Sequence, residues 1–166
     1  MVWGMTLATF TAVHVVLSLI GIVAGLVVMF GFLSGRRPRV WTALFLLTTI
    51  ATSVTGFAFP VDHILPSHII GALSLVVLAV AIIALYGLHF RRIWRGIYVV
   101  CTALALYFNV FVGVVQAFLK FPALHAFAPQ QTEPPFVIAQ LLMLALFIVL
   151  TVVAVKRFRG VMAAGA

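Results

Sequence analysis

The sequence predicts an all-α fold, a polytopic membrane helix bundle with five transmembrane helices. Apolar residues make up 66% of the chain and charged residues only 7%, whereas about a quarter of the residues of a soluble domain are charged. Apolar runs of eighteen residues or more also recur between short polar breaks, and runs of this length span a bilayer as helices. We therefore interpret residues 1–166 as one transmembrane domain.

The apolar runs place the five helices along the chain. No basic residue precedes Arg36, and the first run is longer than the apolar core of a signal peptide, so we expect it to stay on the protein as a helix. The predicted helices cover residues 4–33, 41–59, 67–90, 96–119 and 135–155.

The basic residues predict how the bundle is oriented. In an antiparallel chain of five spans, the first and third breaks and the C-terminus share one side, and that side holds nine of the ten basic residues. The positive-inside rule makes this side cytoplasmic and predicts an N-out, C-in topology. Charge placed this way favours contact with anionic membrane lipids and not with nucleic acid. The three clusters are Arg36, Arg37 and Arg39; Arg91, Arg92 and Arg95; and Lys156, Arg157 and Arg159.

The predicted spans lack the groups that several function classes require. None has an Asp, Glu, Lys or Arg in its hydrocarbon section, and coupled transporters usually need such a residue on their pathway. The sequence also has no HExxH motif and no Cys pair, because Cys101 is the single cysteine and lies within an apolar run. The absence of a catalytic motif favours a protein that is not an enzyme.

The histidines are the side chains of the predicted outer half that are able to bind a metal. His14, His63, His68 and His125 belong to this half, whereas His89 lies beside the cytoplasmic arginines. At about 1.5 Å per residue from those arginines, His14 and His68 both come to about 33 to 34 Å and should be level.

Other polar side chains fall near this layer. The same residue count places Gln116 at about 31 Å, and Thr55, Asn109 and Gln140 at about 21 to 24 Å, one or two turns deeper. Polar groups on every helix at this end predict a pocket that opens outward. The predicted pocket lining is Gln116, Thr55, Asn109 and Gln140.

Two interpretations of the outer histidines remain open. Neutral imidazole binds haem iron and copper, so His14 and His68, with His63 as a further ligand, form a hypothetical site for haem b or copper. In the other interpretation the imidazoles hydrogen-bond between helices at the headgroup level. No metal motif of high specificity is present, which favours the second interpretation.

The segment 52–68 resembles small uncharacterised inner-membrane proteins of bacteria, and we match it to no characterised family. The resemblance implies a multi-pass protein of the bacterial cytoplasmic membrane. Two functions follow from the residues. The leading hypothesis is a small integral component that packs its helices against lipids and membrane partners, either other subunits or a homo-oligomer. The alternative is a periplasm-facing, His-ligated haem or transition-metal protein in membrane electron transfer.

Overall fold

The computed structural model describes residues 1–60, 66–91 and 93–164, with side chains as far as residue 158. Within these residues the protein is helical apart from turns and an isolated bridge between Val2 and Met5. This confirms the predicted all-α class. The helices are α1 (Leu7–Leu33), α2 (Arg39–Gly56), α3 (Pro66–Ile82), α4 (Trp94–Lys120), α5 (Pro122–Phe127) and α6 (Pro134–Ala164).

Among the described residues, four helical segments are long and apolar enough to cross a membrane. They are Leu7–Leu33, Pro66–Gly87, Trp94–Lys120 and Pro134–Phe158, and they support a multi-pass membrane protein. The second predicted span corresponds to α2, which does not belong to this set. Its 18 residues include five threonines and a serine, and these hydroxyl groups lower its hydropathy.

The helices α1 to α4 form a closed four-helix arrangement. Helix α2 packs between α1 and α3, and α4 packs against both α3 and α1. Helix α6 lies against α1 and α4 on the outside of this arrangement. Only 11% of the span in α6 is buried, against 28% to 33% in the other three spans, so α6 is peripheral.

Gly25 marks the closest crossing of α1, α2 and α4. A Cβ atom at this position would lie 2.5 Å from Leu106 Cδ1 and 2.9 Å from the ring of Phe45. Both neighbours are essentially fully buried. Glycine therefore allows the backbone of α1 to approach the other two helices, as small residues commonly do in membrane bundles.

Described residues of all three basic clusters lie at one end of the bundle. The guanidinium of Arg37 lies 5.4 Å from the ring centroid of Phe90. This contact joins the first polar break of the sequence to the third. Arg157 near the C-terminus donates a 3.1 Å hydrogen bond to the carbonyl oxygen of Leu33 at the end of α1. We call this end, which carries Arg37, Phe90 and Arg157, the basic end.

Candidate functional site

His14 and Thr55 form the central contact at the end of the bundle opposite the basic end. The Nδ1 atom of His14 lies 2.8 Å from the Oγ1 atom of Thr55, which connects α1 with α2. Residue counting places Thr55 one or two turns deeper than His14, and the structure brings the two side chains into contact. Residues 34–38 connect α1 with α2 outside either helix, so a helical rise counted through residues 34–36 places His14 too far from the basic end.

The hydroxyl of Thr55 determines the tautomer of His14. Its oxygen lies 2.7 Å from the carbonyl oxygen of Ala51, to which the hydroxyl donates. A hydroxyl has one hydrogen, so the same oxygen accepts from His14, and Nδ1 of the imidazole carries a proton. In neutral His14 the lone pair of Nε2 is then available to a ligand.

The ring of Phe59 covers one side of the His14 imidazole. Phe59 meets it edge to face at a centroid distance of 5.2 Å, and Phe10, which is 1% exposed, packs against Phe59. Gly56 adjoins the imidazole, because a Cβ there would lie 3.7 Å from His14 Cε1. His14 is therefore half-buried between an aromatic wall and the end of α2.

His68 lies against a different residue at the end of α2. Its ring stacks on Phe57 with a centroid distance of 5.5 Å and an interplanar angle of 16°. The described contacts thus pair His14 with Thr55 in the last turn of α2 and His68 with Phe57 directly after that helix. His63, the third predicted ligand, lies outside the described residues. Within the described residues no group of three or more His, Cys, Asp or Glu side chains is positioned to hold a metal ion.

A second polar contact lies deeper in the bundle, around Gly21. Asn109 of α4 donates a 3.1 Å hydrogen bond to Thr49 Oγ1 of α2. A Cβ at Gly21 would lie 3.3 Å from the polar atoms of Asn109, Thr48 and Thr49. The missing side chain of Gly21 therefore makes room for this contact. Asn109 therefore forms a hydrogen bond between α4 and α2. This contact is separate from the contact between His14 and Thr55.

The two glutamines of the predicted pocket have separate environments. Gln140 donates a 3.3 Å hydrogen bond to the carbonyl oxygen of Phe111, which ties α6 to α4. Its buried Oε1 atom has no hydrogen-bond partner among the described residues. The Gln116 side chain is exposed. Of the four predicted lining residues, Thr55 is the one whose described hydrogen bonds include His14.

Glu133 orders the turn that precedes α6. Its carboxylate accepts hydrogen bonds from the backbone amides of Gln130 at 3.1 Å and Thr132 at 3.0 Å. Desolvation raises the pKa of Glu133, but backbone hydrogen bonds with Gln130, with its own amide and with Thr132 outweigh this effect and hold the pKa below its ordinary value.

The structure also contains a cleft at the basic end that sequence reasoning missed. Its volume is about 450 Å³, within the range typical of small-molecule sites. We call it the basic cleft, and its lining is Arg37, Arg39, Leu85, His89, Phe90 and Phe158.

An unusual turn after α3 shapes the basic cleft. The helix continues as a π-helix over Ile83–Gly87, closed by a 2.9 Å hydrogen bond from the Leu88 amide to the Ile83 carbonyl oxygen. His89 and Phe90 then adopt φ values of 46° and 59°. Left-handed backbone at non-glycine residues costs about 1 to 3 kcal/mol each, and such strain and π-helical turns are both frequent at functional sites.

Comparisons with known proteins add no family assignment. No family model matches the chain, and neither curated proteins nor solved structures give a significant match. This agrees with the absence of a characterised family in the sequence analysis.

Proposed function

We propose that this chain is a five-span, N-out and C-in component of a bacterial cytoplasmic membrane, and that it acts by packing its helices against membrane partners. The five spans form one membrane domain, with α2 as the fifth span. The observation that carries the proposal is the distribution of apolar and polar side chains on α2 and α6.

The exposed side chains of α2 support a spanning role for this helix. Apart from Arg39 at its start, the exposed residues are Val40, Trp41, Leu47 and Val54, all apolar. Valine and leucine at positions 40, 47 and 54 recur every seven residues and lie on one face of a helix. The hydroxyl-bearing side chains are turned inward, and those of Thr42, Thr48 and Thr55 hydrogen-bond to carbonyl oxygens of the preceding turn. This distribution suits a helix with lipid outside and protein inside.

Basic residues at one end support the proposed orientation. Arg37, Phe90 and Arg157 bring the first break, the third break and the C-terminal segment together. Glu133 and its turn precede α6, in the break assigned to the other side. The positive-inside rule then favours the basic end as the cytoplasmic end.

The outer face of α6 supports a role in packing with partners. Exposed aliphatic side chains run along the helix, among them Leu142 at 66% and Val149 at 60% exposure. Gln140 is the one amide side chain near them, and it hydrogen-bonds inward to α4. This aliphatic face fits either a helix of another subunit or α6 of a second copy, because both present apolar side chains to a membrane interface.

Site-specific photo-crosslinking in native membranes tests this function. A photoreactive residue at Leu142 should give a discrete adduct, identified by mass spectrometry as a second copy or one membrane subunit. The matched control is Leu47 of α2, which is 68% exposed and should give lipid adducts. Lipid adducts alone at both positions would contradict the proposed role of α6.

A second candidate function is a periplasm-facing haem or copper protein, and the His14–Thr55 contact favours it. Metal-bound histidines almost always donate their other N–H to an oxygen, as His14 does to Thr55. His14 and His68, with His63 or without it, would bind haem b or copper. The imidazole of His14 would bind through Nε2, and its aromatic surroundings would restrict access of water.

The absorption spectrum and metal content of the purified protein test this second function. Protein from haem- and copper-replete cells should contain one haem or one copper ion per chain, and His14→Ala should remove this ligand. His125→Ala is the matched control, because His125 is exposed on α5. Colourless, metal-free protein would contradict this function and leave the packing role untouched.

A further inference from the structure

The basic cleft has two kinds of wall. Arg37, Arg39 and His89 bring nitrogen groups to it, and Phe90 brings a partly exposed apolar ring, while Leu85 and Phe158 are almost fully buried. The ring of Phe90 holds the Arg37 guanidinium at 5.4 Å by a cation–π contact. An occupant that satisfies both walls has an anionic part and an apolar part.

No acidic residue is among the described residues that line the basic cleft. The chain has only two acidic residues, Asp62 and Glu133. The Glu133 carboxylate accepts hydrogen bonds from backbone amides in the turn before α6, and Asp62 lies outside the described residues. The chain carries ten Lys and Arg residues against these two. An anion from outside the chain is therefore the natural partner of Arg37 and Arg39.

The position of the basic cleft in the fold indicates which kind of anion it binds. It lies where the apolar span Pro66–Gly87 ends and at Phe158 of α6, which directly follows the basic residues Lys156 and Arg157, and this is the level of lipid headgroups. Arginine binds phosphate oxygens through two parallel N–H groups. A free phosphate ion would leave the partly exposed ring of Phe90 unused, whereas a phospholipid places its phosphate and the start of its chains side by side.

We propose that the basic cleft is a binding site for the phosphate headgroup of an anionic phospholipid. Arg37 and Arg39 contact the phosphate oxygens, and the exposed part of the Phe90 ring contacts the glycerol end of the acyl chains. The left-handed turn at His89 and Phe90 holds the ring that orients Arg37. This site depends on the bundle lying in a membrane, and not on the five-span topology, on α6 partners or on any metal.

Native mass spectrometry of the full chain tests this site, with phosphatidylglycerol as the probe and phosphatidylcholine as the uncharged comparison. The double variant Arg37→Gln/Arg39→Gln should weaken phosphatidylglycerol binding by about tenfold or more, since each basic residue contributes about a factor of five. Arg36→Gln/Arg91→Gln removes the same charge from exposed residues outside the basic cleft. That control should change binding clearly less than the test variant, because neither Arg36 nor Arg91 lines the basic cleft.

Two further measurements separate lipid binding in the cleft from misfolding of the variant and from binding of phosphate alone. Arg37→Lys/Arg39→Lys should recover most of the binding, and the lipid-free melting temperature of the Gln variant should show that it remains folded. Millimolar inorganic phosphate should not displace the lipid, because it uses only the charged wall. Equal loss in both Gln variants, equal binding of phosphatidylcholine, or complete displacement by inorganic phosphate would overturn the proposal.

Discussion

The close packing around Gly25 predicts that a single added methyl group destabilises the bundle. In Gly25→Ala the new Cβ would meet Leu106 Cδ1 at 2.5 Å and the ring of Phe45 at 2.9 Å. Leu106 is 1% exposed and Phe45 is 0% exposed, so neither side chain has free space into which to rotate. The variant must separate α1 from α2 and α4.

Gly113→Ala provides the matched control, because its Cβ would meet Ile22 Cδ1 at 3.6 Å, an ordinary contact. Both variants gain about 0.5 to 1 kcal/mol because alanine favours the helix over glycine. Overpacking costs about 1 to 3 kcal/mol and applies only to Gly25→Ala. The free energy of unfolding should therefore differ between the two variants by about 1 to 3 kcal/mol, with Gly25→Ala the less stable.

Reversible unfolding in mixed detergent micelles, followed by circular dichroism, measures this difference. Both variants must first show the helix content of the unchanged protein. Equal stability of Gly25→Ala and Gly113→Ala would refute the packing of α1 against α2 and α4 at this crossing.

Two further predictions concern polar contacts. A double-mutant cycle of Asn109→Leu and Thr49→Val should give a coupling energy of about 0.6 kcal/mol, the average for hydrogen bonds between membrane helices; zero coupling in unfolding experiments would contradict the contact. The folded-state pKa of Glu133 is lowered, so its stabilising effect is present above the unfolded pKa and is lost as pH falls through the folded pKa. Glu133→Gln should therefore speed hydrogen exchange at the Gln130 and Thr132 amides at neutral pH, and unchanged exchange would contradict this role.

Much of the fold follows from apolar run length, and the exceptions have local causes. The fourth predicted helix, 96–119, agrees closely with Trp94–Lys120, because polar breaks bound a single apolar run. The third, 67–90, ends earlier and passes into the π-helix Ile83–Gly87. That change depends on a shifted hydrogen bond between Leu88 and Ile83, which hydropathy does not encode.

The candidate sites depend on helix rotation, which a uniformly apolar helix does not reveal. Residue counting placed His14 near the outer end, but its partner Thr55 was assigned to a deeper layer. Their hydrogen bond depends on the rotation of α1 and α2 and on where each helix ends. The basic cleft depends on a left-handed turn at His89 and Phe90. The sequence signal for this cleft is a phenylalanine beside arginines at a helix break, which also fits an ordinary interfacial turn.

The central claim is that α2 is a fifth span between a cytoplasmic basic end and an exterior end. Single cysteines at Ser34 and Pro60, both exposed, lie before and after α2 and can be introduced in a Cys101→Ala background. A membrane-impermeant maleimide should label Pro60→Cys in cells whose outer membrane alone is permeable, and Ser34→Cys only after the inner membrane is opened. Equal labelling of both positions in intact inner membranes, or the reverse order, would contradict the five-span, N-out and C-in account.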